Sequence, residues 1–152
     1  MTKTHKPYDL HASVGYQATL SSRVFERRLE DGLKQIGLSR LQWCILVAIG
    51  LEARRTPSDI AQFLGIDRTA TSRALRGMEA DGYITRNQDH EDRRKTDVSL
   101  SPLGSEKLAQ ALPIASNNTA HFAEKLTLSE AELLQKLLIK LRSGEVKDLA
   151  NF

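Results

Sequence analysis

The chain has 152 residues, of which 27% are charged and 40% belong to the set AVILMFWYC, so a packed core is expected and wholesale disorder is not. Its formal net charge of +3 says little by itself about partners. Cys44 is the only cysteine, which excludes an intrachain disulfide and a cysteine-rich metal site. The longest apolar run, residues 43–51, is too short to cross a membrane, and residues 1–7 lack the apolar stretch of a secretory signal. We therefore expect a cytoplasmic protein with no membrane partner.

Helical periodicity first occurs between about Asp9 and Ile36, and Gly37 ends the pattern. At about 1.5 Å per residue this helix is about 40 Å long, which is longer than one small domain needs. Ser39 can cap a second helix, which is apolar on nearly all sides as far as Leu51. The second helix is therefore predicted to lie at the centre of the core.

A third helix starts at residues 56–59, which offer a capping hydroxyl, a proline at the first helical position and a carboxylate near the positive end of the helix dipole. It ends at Gly65. Asp67 can cap a fourth helix, which runs to about Asp81. Two short helices with this spacing predict a helix-turn-helix.

The only β signal follows, because residues 83–86 and 96–100 have strand-like composition and the nine residues between them are polar. They predict a hairpin, or wing. Ser101-Pro102 then starts a long helix to about Leu126, in which Pro113 is expected to cause a bend.

A capping box at residues 127–130 opens the last helix, which carries a stripe of leucines at positions 133, 134, 137, 138 and 141. The long helices in residues 1–37 and 102–152 carry more apolar surface than the module of residues 39–100 can cover. We expect one unit over residues 1–152, mainly α with a two-stranded β wing (α+β), whose end helices pack against each other and a second copy of the chain.

The fourth helix has two different faces when its residues are placed 100° apart. One face is apolar, and the other carries only guanidinium and hydroxyl groups, at Arg68, Thr69, Ser72, Arg73 and Arg76. Arginine can bind guanine with two hydrogen bonds or hold a phosphate, and a helix fits the major groove of DNA. The alternative is an ordinary solvated face. The lack of an acid on this face favours a DNA-binding role over an ordinary solvated face.

The hairpin tip carries Asp92, Arg93, Arg94 and Lys95. A projecting wing can place an arginine in a DNA minor groove. The alternative is an ordinary charged turn, since residues 86–95 contain four basic and three acidic residues and so have a net charge of only +1.

These features belong to a longer pattern, which resembles the MarR family of winged helix-turn-helix transcription regulators. The matching positions are Ile60-Ala61, Leu64–Arg68, Ser72–Leu75, Met78-Glu79, Gly82–Ile84, Arg86 and the wing signature Asp89–Arg94 with Val98–Gly104. Two positions depart from the family pattern. Ser101 replaces a threonine, which preserves a cap, and Thr71 replaces a bulkier apolar residue, which predicts looser packing of the fourth helix.

The resemblance implies that the fourth helix is the recognition helix, and that Arg94 enters the minor groove while Asp92 holds its guanidinium. It also implies a homodimer, formed by the first and last two helices, on a pseudo-palindromic operator in double-stranded DNA. Members of the family commonly act as repressors. They release DNA when a phenolic or other anionic compound binds or when a cysteine is oxidised.

The effector pocket of such proteins lies between the first two helices and the dimer arms, for which His11, Tyr16, Trp43 and Cys44 are candidates. The alternative for Trp43 and Cys44 is plain core packing. A redox role for Cys44 is not favoured, since its segment is apolar and no neighbour in sequence would lower its pKa.

Other classes of function are less well supported. The four histidines, His5, His11, His90 and His121, lack metal-ligand spacing, so no metal or cofactor is expected. No phosphate-binding loop, nucleophile elbow or zinc-protease motif is present, so an enzyme is not expected. A winged helix used only for protein–protein contact is the alternative function, although it would have little reason to keep an acid-free arginine face.

Overall fold

A computed structural model of the protein describes residues 8–88 and 96–145. Over these residues the chain forms six helices and two strands. In chain order they are α1 (Val14–Lys34), α2 (Arg40–Gly50), α3 (Pro57–Leu64), α4 (Arg68–Ala80), β1 (Ile84–Gln88), β2 (Thr96–Leu100), α5 (Pro102–Ala123) and α6 (Leu128–Arg142). The predicted mainly α fold with a two-stranded wing is confirmed.

Helix starts follow the capping residues that the sequence predicts. The hydroxyl of Ser39 accepts a hydrogen bond from the backbone N–H of Gln42, whose side chain accepts one from the Ser39 N–H at 2.8 Å. Thr56 and Asp67 accept from the N–H groups three residues later, at 3.1 and 2.8 Å. The predicted capping box of α6 also forms. Each cap satisfies an N–H that the helix itself cannot pair.

The first helix begins later than predicted, at Val14 instead of Asp9. The Asp9 carboxylate accepts hydrogen bonds from the backbone N–H groups of His11 and Ala12, at 3.0 and 3.3 Å. This local turn competes with a helix, and Ser13 then caps α1.

The core is built around α2, in which every residue from Trp43 to Ile49 is buried. This helix contacts α1, α3, α4, α5 and β2. Fully buried side chains from those neighbours complete the core, among them Leu33, Ile60, Leu75 and Val98. The predicted central position of the second helix is confirmed.

The wing is an antiparallel pair in which Ile84 lies opposite Leu100 and Gln88 lies opposite Thr96. The first strand begins at Ile84 and not at Tyr83, because the N–H of Tyr83 is used to close the end of α4 by bonding to the Met78 carbonyl at 2.9 Å. Gly104 of α5 packs directly on this corner, where a Cβ atom would lie only 1.9 Å from the Tyr83 oxygen. The close approach holds α5 at the base of the wing.

The last helix has no buried residues and leaves its large apolar side chains exposed. Its leucine stripe is 39–58% exposed at positions 133, 134, 137, 138 and 141. Pro113 lies inside the continuous helix α5, and the bend expected there stays a prediction. No helix among the described residues is both long and apolar enough to span a membrane.

Candidate nucleic-acid interface

The helix-turn-helix consists of α3, a three-residue turn and α4. Gly65 adopts a left-handed backbone conformation, with φ of 66°, and its N–H bonds to the Ala61 carbonyl at 2.8 Å. Glycine has no Cβ atom, so it takes this conformation without the steric penalty that other residues incur. The tight turn brings Asp67 directly into position to cap α4.

The two faces of α4 are arranged as the sequence predicts. Its inner face buries Thr71, Leu75 and Met78 against the core. The arginine arc, which we define as the five polar residues of α4 that are predicted to contact DNA, lies on the other side. Arg68, Thr69, Arg73 and Arg76 are exposed, and Ser72 is half-buried.

Among the described residues, no acid forms an ion pair with the arginine arc. Within residues 8–88 and 96–145, no carboxylate oxygen lies within 4.0 Å of the guanidinium groups of Arg68, Arg73 or Arg76. Glu79, the one acid inside α4, pairs instead with Arg86 of β1. Three such guanidinium groups on one helix face can bind an extended polyanion.

Thr71, one of the two departures from the family pattern, is fully buried. Its hydroxyl donates to the Asp67 carbonyl at 2.9 Å. The buried polar group is therefore paired, which avoids the cost of an unmade hydrogen bond.

The wing lies directly after α4 in the chain. Its last described pair is Gln88 and Thr96. The predicted tip residues Asp92, Arg93, Arg94 and Lys95 lie outside the described residues, so their roles stay predictions.

A separate cavity of about 720 Å³ opens between α1, α2 and the two C-terminal helices. Its walls are mainly apolar, and its polar groups include Ser21, Ser22, Glu26 and Arg40. Arg40 is the one cation among the described lining residues, and it pairs with Glu26 at 3.2 Å. A neighbouring cavity of about 350 Å³ shares that ion pair and also reaches Cys44. Sequence reasoning missed Glu26 and Arg40, because only the packing of α1 on α2 brings them together.

The four predicted pocket residues form two separate groups. His11 and Tyr16 meet edge to face at the start of α1, with ring centroids 5.4 Å apart. Trp43 and Cys44 are 6% and 3% exposed and belong to the core cluster. Cys44 reaches the smaller cavity, whereas the other three line neither of the two cavities. Their binding role stays a prediction.

Burial raises the pKa of the Cys44 thiol to about 11, and the nearby Arg40 charge offsets this only in part. The thiolate is therefore disfavoured at neutral pH. Among residues 8–88 and 96–145, no three histidine, cysteine, aspartate or glutamate side chains come together in a group that could hold a metal ion.

Comparison with known proteins gives consistent results. Residues 36–95 match the sequence profile of the MarR family. An HTH-type transcriptional regulator of Bacillus cereus (strain ZK / E33L) is 30% identical over 119 residues, which cover 77% of this chain and 79% of the relative. The transcriptional repressor MprA of Escherichia coli (strain K12) is 27% identical over 126 residues, covering 82% of this chain and 71% of MprA.

The fold also matches a solved structure of BpsR from Bordetella bronchiseptica, with a TM-score of 0.80. The match covers 92% of this chain and 100% of the BpsR chain, at 21% sequence identity. That structure concerns the mechanism by which 6-hydroxynicotinic acid regulates the DNA binding of BpsR. At this identity the likeness shows the fold alone.

Proposed function

Because the chain belongs to the MarR family of transcription regulators, we propose that it binds double-stranded DNA as a homodimer and represses transcription from a pseudo-palindromic operator. The observation that carries this proposal is the arginine arc on α4, whose three arginines are exposed and have no acid partner among the described residues. The relationship to MprA, a transcriptional repressor, favours repression over activation.

We assign DNA recognition to residues 39–100. The arginine arc enters the major groove, where Arg73 and its neighbours meet base edges and phosphates. The helix is about 10–12 Å across, which fits that groove. The wing follows the backbone to the adjacent minor groove, where Arg94 is inserted and Asp92 positions it.

Dimerisation is assigned to residues 1–37 and 102–152. The exposed leucines of α6 and the exposed apolar residues of α1, such as Val14 and Val24, need a partner surface. A second copy supplies one, and the two-fold symmetry of the dimer then presents two recognition helices to two equivalent half-sites. The half-sites are therefore expected about one helical turn apart, or a little more. A DNA partner also implies action in the cytoplasm.

We further assign the 720 Å³ cavity to a small phenolic or otherwise anionic effector. Its apolar walls suit an aromatic ring, and Arg40 can bind a carboxylate or phenolate in competition with Glu26. Val14 and Phe25 of α1 and Leu134 and Leu138 of α6 line the same space. An occupant would therefore change how the dimer arms sit relative to α2, and so the spacing of the two recognition helices. His11, Tyr16, Trp43 and Cys44 remain candidates for contacts at its edge.

The proposal is tested by selecting bound sequences from a random pool of duplex DNA and then measuring affinity by fluorescence anisotropy. A symmetric consensus, bound by a dimer in sedimentation, with affinity that falls steeply as salt rises, is the expected result. A monomer, or a protein that ignores duplexes even in dilute salt, would refute it and favour a protein–protein module. Phenolic carboxylates and the hydroxypyridine carboxylate 6-hydroxynicotinic acid are then added in turn, and release of DNA is measured.

A variant separates effector binding from DNA binding. Arg40→Gln removes the cavity's cation and leaves the arginine arc unchanged. We expect nearly normal affinity for DNA, together with release that needs a higher effector concentration. Equal sensitivity to the effector in the variant and the wild type would remove Arg40 from the effector site.

A further inference from the structure

The segment that joins α2 to α3 has an unusual backbone. Ala53 has φ of 52°, in the left-handed region that residues other than glycine rarely occupy. Backbone hydrogen bonds fix the two residues after it, one to α2 and one to β2. The N–H of Arg54 donates to the Ala48 carbonyl at 2.9 Å, and the carbonyl of Arg55 accepts from the Val98 N–H at 2.7 Å. Such a conformation persists only when its surroundings fix it, so this segment is rigid.

The same hydrogen bond places Arg55 beside the wing. Val98 is the third residue of β2, and Thr96, the residue at which the strand begins, is two residues away. That separation is about 7 Å along a strand. In the sequence, Arg55 comes directly before Thr56, which caps the N-terminus of α3. The arginine pair, residues 54 and 55, therefore lies between the wing and the N-terminus of a helix of the helix-turn-helix.

The charges of this arginine pair are available for a ligand. Both side chains are exposed. The guanidinium carbon of Arg54 lies 5.4 Å from the centroid of the Phe63 ring, a cation–π contact. Over the described ranges 8–88 and 96–145, no carboxylate oxygen lies within 4.0 Å of either guanidinium. Asp59, a nearby acid in sequence, belongs to the first turn of α3, where it offsets the helix dipole.

We propose that Arg54 and Arg55 bind the sugar–phosphate backbone of duplex DNA beside the wing, as a contact additional to the recognition helix and the wing tip. The inference rests on the proposed DNA-binding function. A guanidinium matches the geometry of a phosphate, with which it can form two hydrogen bonds. The arginine pair sits at the side of the sheet, not on a projecting tip, so it meets the outside of the duplex. Backbone contacts of this kind fix the position of the protein without reading sequence.

The test measures salt dependence with two duplexes, the selected operator and a random sequence of equal length. Fluorescence anisotropy gives the affinity of the wild type, Arg54→Gln and Arg55→Gln at a series of KCl concentrations. Arg142→Gln is the matched control, since it removes one exposed cation from the last turn of α6 and lies outside the leucine stripe. Sedimentation velocity checks that this variant stays as dimeric as the wild type. Arg55→Lys keeps the charge, and thermal unfolding checks that each variant folds.

We expect each Gln variant to bind both duplexes more weakly by the same factor, on the order of tenfold at 0.1 M salt. The slope of log K against log salt should become shallower by about 0.9 for each phosphate that the variant no longer binds, and thus by about twice that for a dimer. Arg142→Gln should keep the wild-type slope, and Arg55→Lys should keep most of it.

The opposite results are distinguishable. Wild-type slopes in folded Arg54→Gln and Arg55→Gln would overturn the contact while leaving DNA binding by the protein intact. A weaker affinity confined to the operator would also overturn it, because the arginines would then read bases. A wild type that binds neither duplex would overturn the proposed function and this inference together.

Discussion

Arg86 in the first strand of the wing is joined to Glu79 in the last turn of α4, the proposed recognition helix. The Nε–H of Arg86 donates to Oε2 of Glu79 at 2.8 Å, and its Nη2 bonds to the same oxygen. The two side chains are 27% and 39% exposed, so solvent screens the pair only in part. The pair ties the direction of the wing to the direction of α4, and thus the element proposed for the minor groove to the element proposed for the major groove.

We predict that breaking this pair reduces the magnitude of the free energy of operator binding more than it lowers the free energy of unfolding. Glu79→Gln and Arg86→Gln, alone and together, form a double-mutant cycle, whose coupling in the free energy of unfolding should be about 0.5–1 kcal/mol because the pair is partly exposed. Urea denaturation measures that coupling. When the same four proteins are compared by their free energy of operator binding, the coupling should be larger, since a misdirected wing no longer reaches the DNA. Zero coupling in both measurements would show that the pair does not position the wing.

Arg73→Ala should lower the preference for operator over random DNA. An arginine that binds a base edge with two hydrogen bonds contributes about 1–3 kcal/mol of discrimination. Competition anisotropy with both duplexes measures the ratio of affinities. If both affinities fall by the same factor, Arg73 holds a phosphate and reads no base.

Arg94→Ala should weaken operator binding by a few kcal/mol at most and leave folding unchanged. The reason is the proposed insertion of Arg94 into the minor groove, where the negative potential of a narrow groove attracts a guanidinium. Arg93→Ala, which also removes a cation from the predicted tip, is the comparison that separates loss of charge from loss of the Arg94 side chain. Gel shift gives the affinities, and an operator affinity equal to that of the wild type would remove Arg94 from the mechanism.

Leu137→Asp should weaken the dimer and, with it, DNA binding. This residue lies in the leucine stripe of α6 and is 47% exposed in the protomer, so a second copy is its proposed partner. A buried, unpaired carboxylate at an apolar interface is strongly unfavourable. Sedimentation velocity compares it with Lys136→Asp, which adds an acid at a neighbouring exposed position of the same helix. A fully dimeric Leu137→Asp protein would refute the role of this stripe.

Cys44 should make stability depend on pH in the alkaline range. Burial raises its pKa to about 11, from 9.0 in the unfolded chain, so the folded state holds the thiol proton more tightly. The protonated thiol therefore stabilises the folded state below pH 9. The free energy of unfolding should fall by on the order of 2–3 kcal/mol as the pH rises through 11.

Urea unfolding of the wild type and Cys44→Ala at pH 8 and pH 10.5 measures this effect, because other titrating groups are common to both proteins. The free energy of unfolding should fall more in the wild type between the two pH values. Equal changes in the free energy of unfolding of the two proteins would show that folding does not raise the pKa of the thiol. Slow reaction of the folded wild type with a thiol reagent at pH 8 is expected for the same reason.

Much of the local structure was predictable from the sequence. Ser39, Thr56, Asp67 and Thr127 cap helices because each side chain bonds to a backbone group three residues away, an interaction that needs no tertiary contact. The arginine arc was predictable for a similar reason, since helix geometry alone places its residues on one side. Where local rules competed, the prediction was wrong. The Asp9 carboxylate forms a turn with the backbone N–H groups two and three residues later, so α1 starts after that turn.

Only the tertiary structure decided which distant residues meet. Arg40 and Glu26 define the polar side of a cavity, and Arg55 and Val98 join a loop to the wing, although 14 and 43 positions separate the partners. Such pairs depend on how helices and strands pack in three dimensions, which periodicity and caps leave open. The sequence by itself therefore determined the elements and the chemistry of each face. Packing determined which of those faces and charges come together.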